Sequence, residues 1–348
     1  MRLSYHPRFD LDRFTCVFFA LLRFCVFAFN FLCLTSFLVA NEAKVLLVMP
    51  NKFIREAIAQ KLLIEGYRNV IQESVETLDT SSGQIAHLIA KTEPDYVIVD
   101  GSSDSALETL LIDTSVINAA MELPKTKVFV LSSFTVYPLK NPLPFQEENL
   151  LKIKIDKLED PWQIAKLSAL KLCSSHNGLK VPRAFFCTYP YLCGPHDTGF
   201  QIRAEHPLKN ISSRILKAKL QKKDFTVVSN DGEAQYEFIH VDDLASALIF
   251  LFQAPNEDMI INIGYGRDTN IRTLAQYVKG HLNFEGNLIF DVTSYDVVPR
   301  LVLDTRRLSR LGWVPSYTTQ DAIKDTVQWL ESKAPEYDPL EEKELILP

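Results

Sequence analysis

Three short apolar runs, each set apart from the next by helix-spaced sequence, constrain this chain more than any other feature. They are Lys44–Met49 (KVLLVM), Tyr96–Asp100 (YVIVD) and Val128–Leu131 (VFVL). Runs of this length, rich in β-branched residues and without polar alternation, fit strands buried on both faces. Between them, Ile54–Glu65 has apolar residues at helical spacing and is closed by Gly66, and Ser105–Met121 predicts a second helix. Strand–helix alternation implies right-handed crossovers and hence an α/β fold with a doubly wound parallel sheet. The second half is less regular. It predicts a helix over Pro161–Ser174, a strand over Arg183–Cys187, a Pro/Gly-rich loop over Tyr189–Phe200 and a helix over Asn210–Leu220. A strand and an apolar helix follow over Glu237–Phe252, then helices over Ile271–Gly280 and Thr319–Lys333. Asp242 and Asp243 stand at a helix start, where the dipole favours negative charge, so they are assigned to capping and not to a metal.

A chain of 348 residues allows one large or two closely joined domains. Its net charge of −6 gives no electrostatic footprint for nucleic acid, and the basic run Lys217–Lys223 is short enough to be a solvated helix end. Of the six cysteines, Cys16, Cys25 and Cys33 lie in an apolar N-terminal segment, and Cys173, Cys187 and Cys193 in the body. No CxxC pair or Cys/His cluster points to a metal, and the odd number in the body is not a disulfide framework.

Residues 14–40 are almost continuously apolar and follow Arg2, Arg8 and Arg13. That is long enough to span a bilayer with its basic side inside, which predicts membrane association. The small residue Ala40 also allows a signal-peptide end. A start codon placed too early, leaving a cytoplasmic body, is the third reading.

A series of segments then carries a family resemblance: Ser132-Ser133 with Tyr137-Pro138, Pro161-Trp162-Gln163-Ile164-Ala165-Lys166, Gly194-Pro195-His196-Asp197, His240-Val241-Asp242-Asp243, Ile261-Asn262-Ile263-Gly264, Pro299-Arg300 and Leu311-Gly312-Trp313. In this order they resemble the extended short-chain dehydrogenase/reductases of the NAD-dependent epimerase/dehydratase type, on the GDP-L-fucose synthase side, over residues 44–333. The resemblance implies a Rossmann-like domain over residues 43–200. Substrate-domain segments over 201–335, with a strand and helix returning to the core, would follow, between a leading segment 1–42 and an acidic tail 336–348. It implies NADP(H) as cofactor, no metal, a GDP-linked keto sugar as substrate, and a homodimer or a hetero-oligomer with an active relative. In such a family Ser, Tyr and Lys act together beside the nicotinamide, the Lys lowering the Tyr pKa so that the phenol protonates the keto oxygen. Ser132 or Ser133 and Lys166 take two of these places, and His206 takes that of the epimerising histidine. Lys52 falls at a basic position near the adenosine phosphate, and Arg214 and Arg300 at substrate positions.

The departures fall on the chemistry. The tyrosine place is Trp162, whose indole has no proton to give in the working range. The epimerising cysteine place is Phe134 or Thr135. The glycines of the dinucleotide loop, which allow close backbone approach to a pyrophosphate, are replaced by Pro50, Phe53 and Glu56. Tyr236 and Leu301 stand where an arginine and a lysine are expected. These losses favour a non-catalytic or regulatory relative. The alternative is an active epimerase/reductase on GDP-4-keto-6-deoxymannose or a similar substrate, drawing its proton from Tyr137, Ser132 or a water held by Lys166.

Overall fold

The computed structural model describes residues 42–73, 83–139, 142–178, 181–196, 206–228, 231–255, 258–291, 293 and 299–333. A six-stranded, wholly parallel sheet forms its centre: β1 (Lys44–Val48), β2 (Asn69–Glu73), β3 (Tyr96–Val99), β4 (Lys127–Ser133), β5 (Ala184–Tyr189) and β9 (Ile260–Asn262), in the order β2-β1-β3-β4-β5-β9. Strands β2 and β9 at the two edges are the ones the sequence did not announce, β9 because it is only three residues long. Strand β2 is half-exposed, so it carries no apolar run.

Helices α1 (Lys52–Ile64), α2 (Gln84–Thr92), α3 (Ala106–Glu122) and α5 (Pro161–Asn177) make the crossovers, with the short α4 (Glu147–Lys152) before α5. One apolar cluster joins Leu46, Val97, Val128 and Phe186 to α3 and α5; another joins Val45, Leu47, Ile98 and Phe129 to α1 and to α7 (Val241–Gln253). The sheet is thus covered on both faces, as its unbroken apolar strands require.

Helix α1 is set by its cap. The Asn51 side chain accepts from the Ile54 N–H at 3.3 Å, and Ile54, Ile58 and Leu62 bury one stripe. Asn51→Ala removes that acceptor and lowers stability by about 1 kcal/mol, read as a shift of the urea midpoint at unchanged slope.

A second sheet is built around β8 (Gln235–His240), which pairs in parallel with β6 (Tyr191–Cys193) and β12 (Arg300–Leu301) and antiparallel with β10 (Asp268–Asn270). Strands β7 (Phe225–Val228) and β11 (Asn287–Phe290) form a parallel pair. Helices α6 (Pro207–Leu220), α8 (Ile271–His281), α9 (Arg306–Leu311) and α10 (Thr319–Lys333) complete the described chain. Residues 191–193, expected within a loop, are therefore strand β6, and α6 starts at Pro207, three residues before the expected Asn210.

Two further expectations are corrected. Among the described residues no helix is long and apolar enough to cross a membrane, and residues 14–40, on which membrane association rested, lie outside them. The helix start at 240–243 is capped by His240, whose Nδ1 accepts from the Asp242 N–H at 3.1 Å. Asp243 instead holds the turn before α10, accepting from Ser316 N–H at 2.8 Å and Tyr317 N–H at 3.0 Å.

Candidate functional site

Strands β2 and β3 lie on opposite sides of β1, so the chain leaves β1 in both directions. The crevice at the carboxyl ends of β1 and β3 is the place where such sheets bind ligands. Four groups of residues converge there: the loop into α1, the turn after β3, the end of β4, and the first turns of α5.

At the loop into α1, Phe53 is 5% exposed and belongs to the core with Met49, Leu192, Ile239 and Val241. A Cβ on Gly194 would lie 3.4 Å from its Cζ, in ordinary contact, and 2.9 Å from Val241 Cγ1, so the ring stands about one methyl group away from the facing loop, and it is Val241 that crowds position 194. Arg55 turns back on the same loop and donates to the carbonyl oxygens of Met49 at 2.6 Å and Pro50 at 3.4 Å. Lys52 and Glu56 are exposed and paired with each other at 3.6 Å, so Glu56 points out and not into the crevice as its position implied.

Trp162 and Lys166 lie four apart on α5, hence on one face of the helix, and both reach the turn after β3. The Trp162 indole N–H donates to the Ser103 carbonyl at 3.1 Å. Lys166, 6% exposed, spends its three donors at 2.9 Å each on Asp100 Oδ1, Asp113 Oδ2 and the Leu131 carbonyl. Asp100 also accepts from Ser102 and from the Tyr189 hydroxyl at 3.0 Å, and Asp113 accepts from the Gly101 N–H at 2.8 Å. The turn admits only glycine at 101, since a Cβ would fall 2.7 Å from Asp113 Oδ1 and 2.9 Å from the Thr109 carbonyl. Burial favours the neutral forms, yet the two carboxylates outweigh it at Lys166 and raise its pKa. At Asp100 the Lys166 ammonium and the Ser102 bonds likewise overcome burial and lower the pKa. At Asp113 burial, with Asp100 facing it as well, wins over the ammonium and pushes the pKa up. Lys166 is thus a charged member of the core.

The remaining expected positions are also occupied. Ser132 is buried and donates to the Ser133 carbonyl at 3.3 Å, and Ser133 shares a 2.5 Å bond with Thr135. Tyr137 is fully buried, gives its hydroxyl to Asn262 Oδ1 at 2.7 Å and stacks on Phe145. Phe134, one of the two residues expected at the cysteine place, packs on Tyr191 with 5.0 Å between ring centroids; Tyr191 in turn meets His206 at 5.0 Å, Tyr236 at 5.5 Å and Phe238 at 5.7 Å. His206, set by the start of α6, faces the Leu192 carbonyl through Nε2 at 2.9 Å, which fixes that nitrogen as the donor. Burial among these rings lowers its pKa to about 3. Arg214 is exposed on α6 beside Asn210, and Arg300 is paired with Asp268. The site therefore brings together Trp162, Lys166, Ser132 and Ser133, leaves Lys52, Arg214 and Arg300 at the surface, and adds Asp100, Asp113, Tyr189, Asn51 and Arg55. Among the described residues no group of His, Cys, Asp and Glu could hold a metal ion.

The His206 environment has a measurable sign. Its folded pKa lies below the unfolded value of about 6.5, so the unfolded chain takes up the proton first. The stability that a neutral His206 contributes is complete above pH 6.5 and is lost as pH falls toward 3. His206→Phe keeps a ring in the cluster and removes the titration. Relative to wild type, it gains roughly 2–3 kcal/mol between pH 7 and pH 4.5 in paired urea melts, whatever constant offset the lost Leu192 bond adds.

Comparison with known proteins places the chain in a family and agrees with its fold. Residues 53–264 match the NAD dependent epimerase/dehydratase family. GDP-L-fucose synthase 1 of Arabidopsis thaliana is 30% identical over 302 residues, which covers 83% of this chain and 93% of that protein. The GDP-L-fucose synthase of Escherichia coli is 31% identical, covering 65% and 73%. Among solved structures, the NADP-bound GDP-L-fucose synthetase of Naegleria fowleri superposes with a TM-score of 0.72 at 22% identity, over 84% of this chain and 94% of that one. The chain belongs to the NAD dependent epimerase/dehydratase family, among its GDP-L-fucose-synthase-like sugar-nucleotide epimerase/reductases.

Proposed function

We propose that this chain is a non-catalytic member of that group, a binding or regulatory relative that does not reduce or epimerise a sugar nucleotide. One observation carries the reading: the ammonium of Lys166 is spent on Asp100, Asp113 and Leu131 inside the core. A lysine that tunes a proton donor must face it, and here the donor place is an indole turned to Ser103. The substitute donors are closed off as well, Tyr137 by Asn262 and full burial and Ser132 by its neighbour's carbonyl. A nucleotide sugar remains the ligand class to which the relatives' names point, with exposed Arg214 as the candidate phosphate contact. Regulation would then act on an active relative in a mixed oligomer.

The active reading has one observation of its own. His206 keeps a neutral imidazole whose Nδ1 is buried without a hydrogen-bond partner, a base held at the epimerising position. Its low pKa makes it a weak one. The deciding experiment offers GDP-4-keto-6-deoxymannose to the full chain in deuterated water. NADPH oxidation reports reduction, and deuterium uptake beside the ketone reports epimerisation; neither is expected.

A further inference from the structure

We infer that Phe53 is a built-in occupant of the phosphate crevice and that the chain thereby excludes nicotinamide dinucleotides. This rests on the family placement of the crevice, but on its cofactor side and not on the proton-transfer residues that carry the functional proposal.

A dinucleotide is held where backbone N–H groups at a helix start can approach its diphosphate, and glycines make that approach free of side chains. The start of α1 is arranged for something else. Pro50 has no N–H to offer. The Ile54 N–H is taken by the Asn51 side chain, and Arg55 lies against the Met49 and Pro50 carbonyls. Phe53 is buried in one apolar cluster with Met49 and Val241, and its Cζ lies 3.4 Å from where a Cβ on Gly194 would stand, so its ring sits between the end of β1 and the Gly194 loop. A diphosphate at this helix start would have to displace a ring that is 5% exposed and expose it to water, an apolar cost with no compensating charge. The one exposed cation of the first turn, Lys52, is already answered by Glu56. The residues present do not fit the diphosphate of NADP(H), and no reaction step passes through it here.

The full chain is titrated with NADPH by calorimetry, and in parallel by energy transfer from Trp162, Trp313 and Trp329 to the nicotinamide. Wild type is expected to bind more weakly than about 1 mM, some 10³-fold below a micromolar site. Phe53→Ala, confirmed as folded by circular dichroism, is expected to tighten binding about 10–100-fold, the share set by the buried ring, while Phe53→Leu stays near wild type. Micromolar binding by wild type overturns the inference whatever the variants do. A folded Phe53→Ala as silent as wild type overturns the assignment to Phe53, and if that variant does not fold the wild-type constant decides alone. The two proposals fail separately. Deuterium uptake without NADPH binding defeats the functional reading only, and micromolar NADPH without turnover defeats this one only.

Discussion

Lys166→Met lowers the stability of this protein by about 3–5 kcal/mol. The expectation follows from what the ammonium leaves behind. Asp100 and Asp113 are 1% and 0% exposed, and without Lys166 two carboxylates face each other in the core with no cation. Removing one partner of a buried pair costs far more than the pair is worth, because the group left behind has already lost its water. The order of a variant series makes the test specific. Asp113→Asn should cost less, since Lys166 keeps Asp100 and the amide can still accept from Gly101. Adding Asp113→Asn to Lys166→Met should recover part of the loss by removing the like charge. A lysine held for catalysis at a groove surface behaves otherwise: its removal silences turnover and leaves the urea midpoint nearly unchanged. A loss under about 1 kcal/mol for Lys166→Met would therefore return the residue to the catalytic column.

Wild type and Trp162→Tyr are both expected to leave GDP-4-keto-6-deoxymannose unchanged. Loss of a positioned general acid removes ~10²–10⁴-fold in rate, and misplacement of the reacting partner a further ~10²-fold. If independent, these multiply to ~10⁴–10⁶, which places turnover far below the ~1 per second of a slow enzyme. Restoring the phenol alone does not restore its tuning, because Lys166 remains 2.9 Å from Asp100 and Asp113. Initial rates above roughly 0.1 per second for wild type would show that another residue supplies the proton. Activity appearing only in Trp162→Tyr would show that the tyrosine acts without the lysine.

The sheet was legible because its strands are buried on both faces and are written as unbroken apolar runs: KVLLVM, YVIVD and VFVL became β1, β3 and β4. The edge strand β2 and the separate pair β7–β11 were not, since these short, partly exposed strands have no buried apolar run to mark them. At the site, the substitutions themselves could be read, but not what fills the space they leave. That Phe53 comes to lie beside the Gly194 loop and Phe134 meets Tyr191 depends on the crossing of distant elements. The Lys166 pairings span 66 and 53 residues and have no local signature as pairs. Their halves did leave a trace: an aspartate ends the apolar run YVIVD, and another interrupts the buried stripe of LLIDTSVI. A charge at a core position demands an opposite charge, and Lys166, in a helix that buries Ala165 and Leu167, was the cation to look for.

Strand β9 lies some seventy residues beyond β5 in the chain, yet it is the strand that β5 pairs with. During synthesis, then, β5 leaves the ribosome with one side unsatisfied and must wait while β6 to β8 and α7 are made. Its sequence AFFCTY is buried at every position in the finished protein. Until Ile260–Asn262 arrive, that side is an open template for another nascent chain, and the cell must cover it. The same delay bars a clean cut: a piece ending anywhere between β5 and β9 keeps five strands and an adhesive edge.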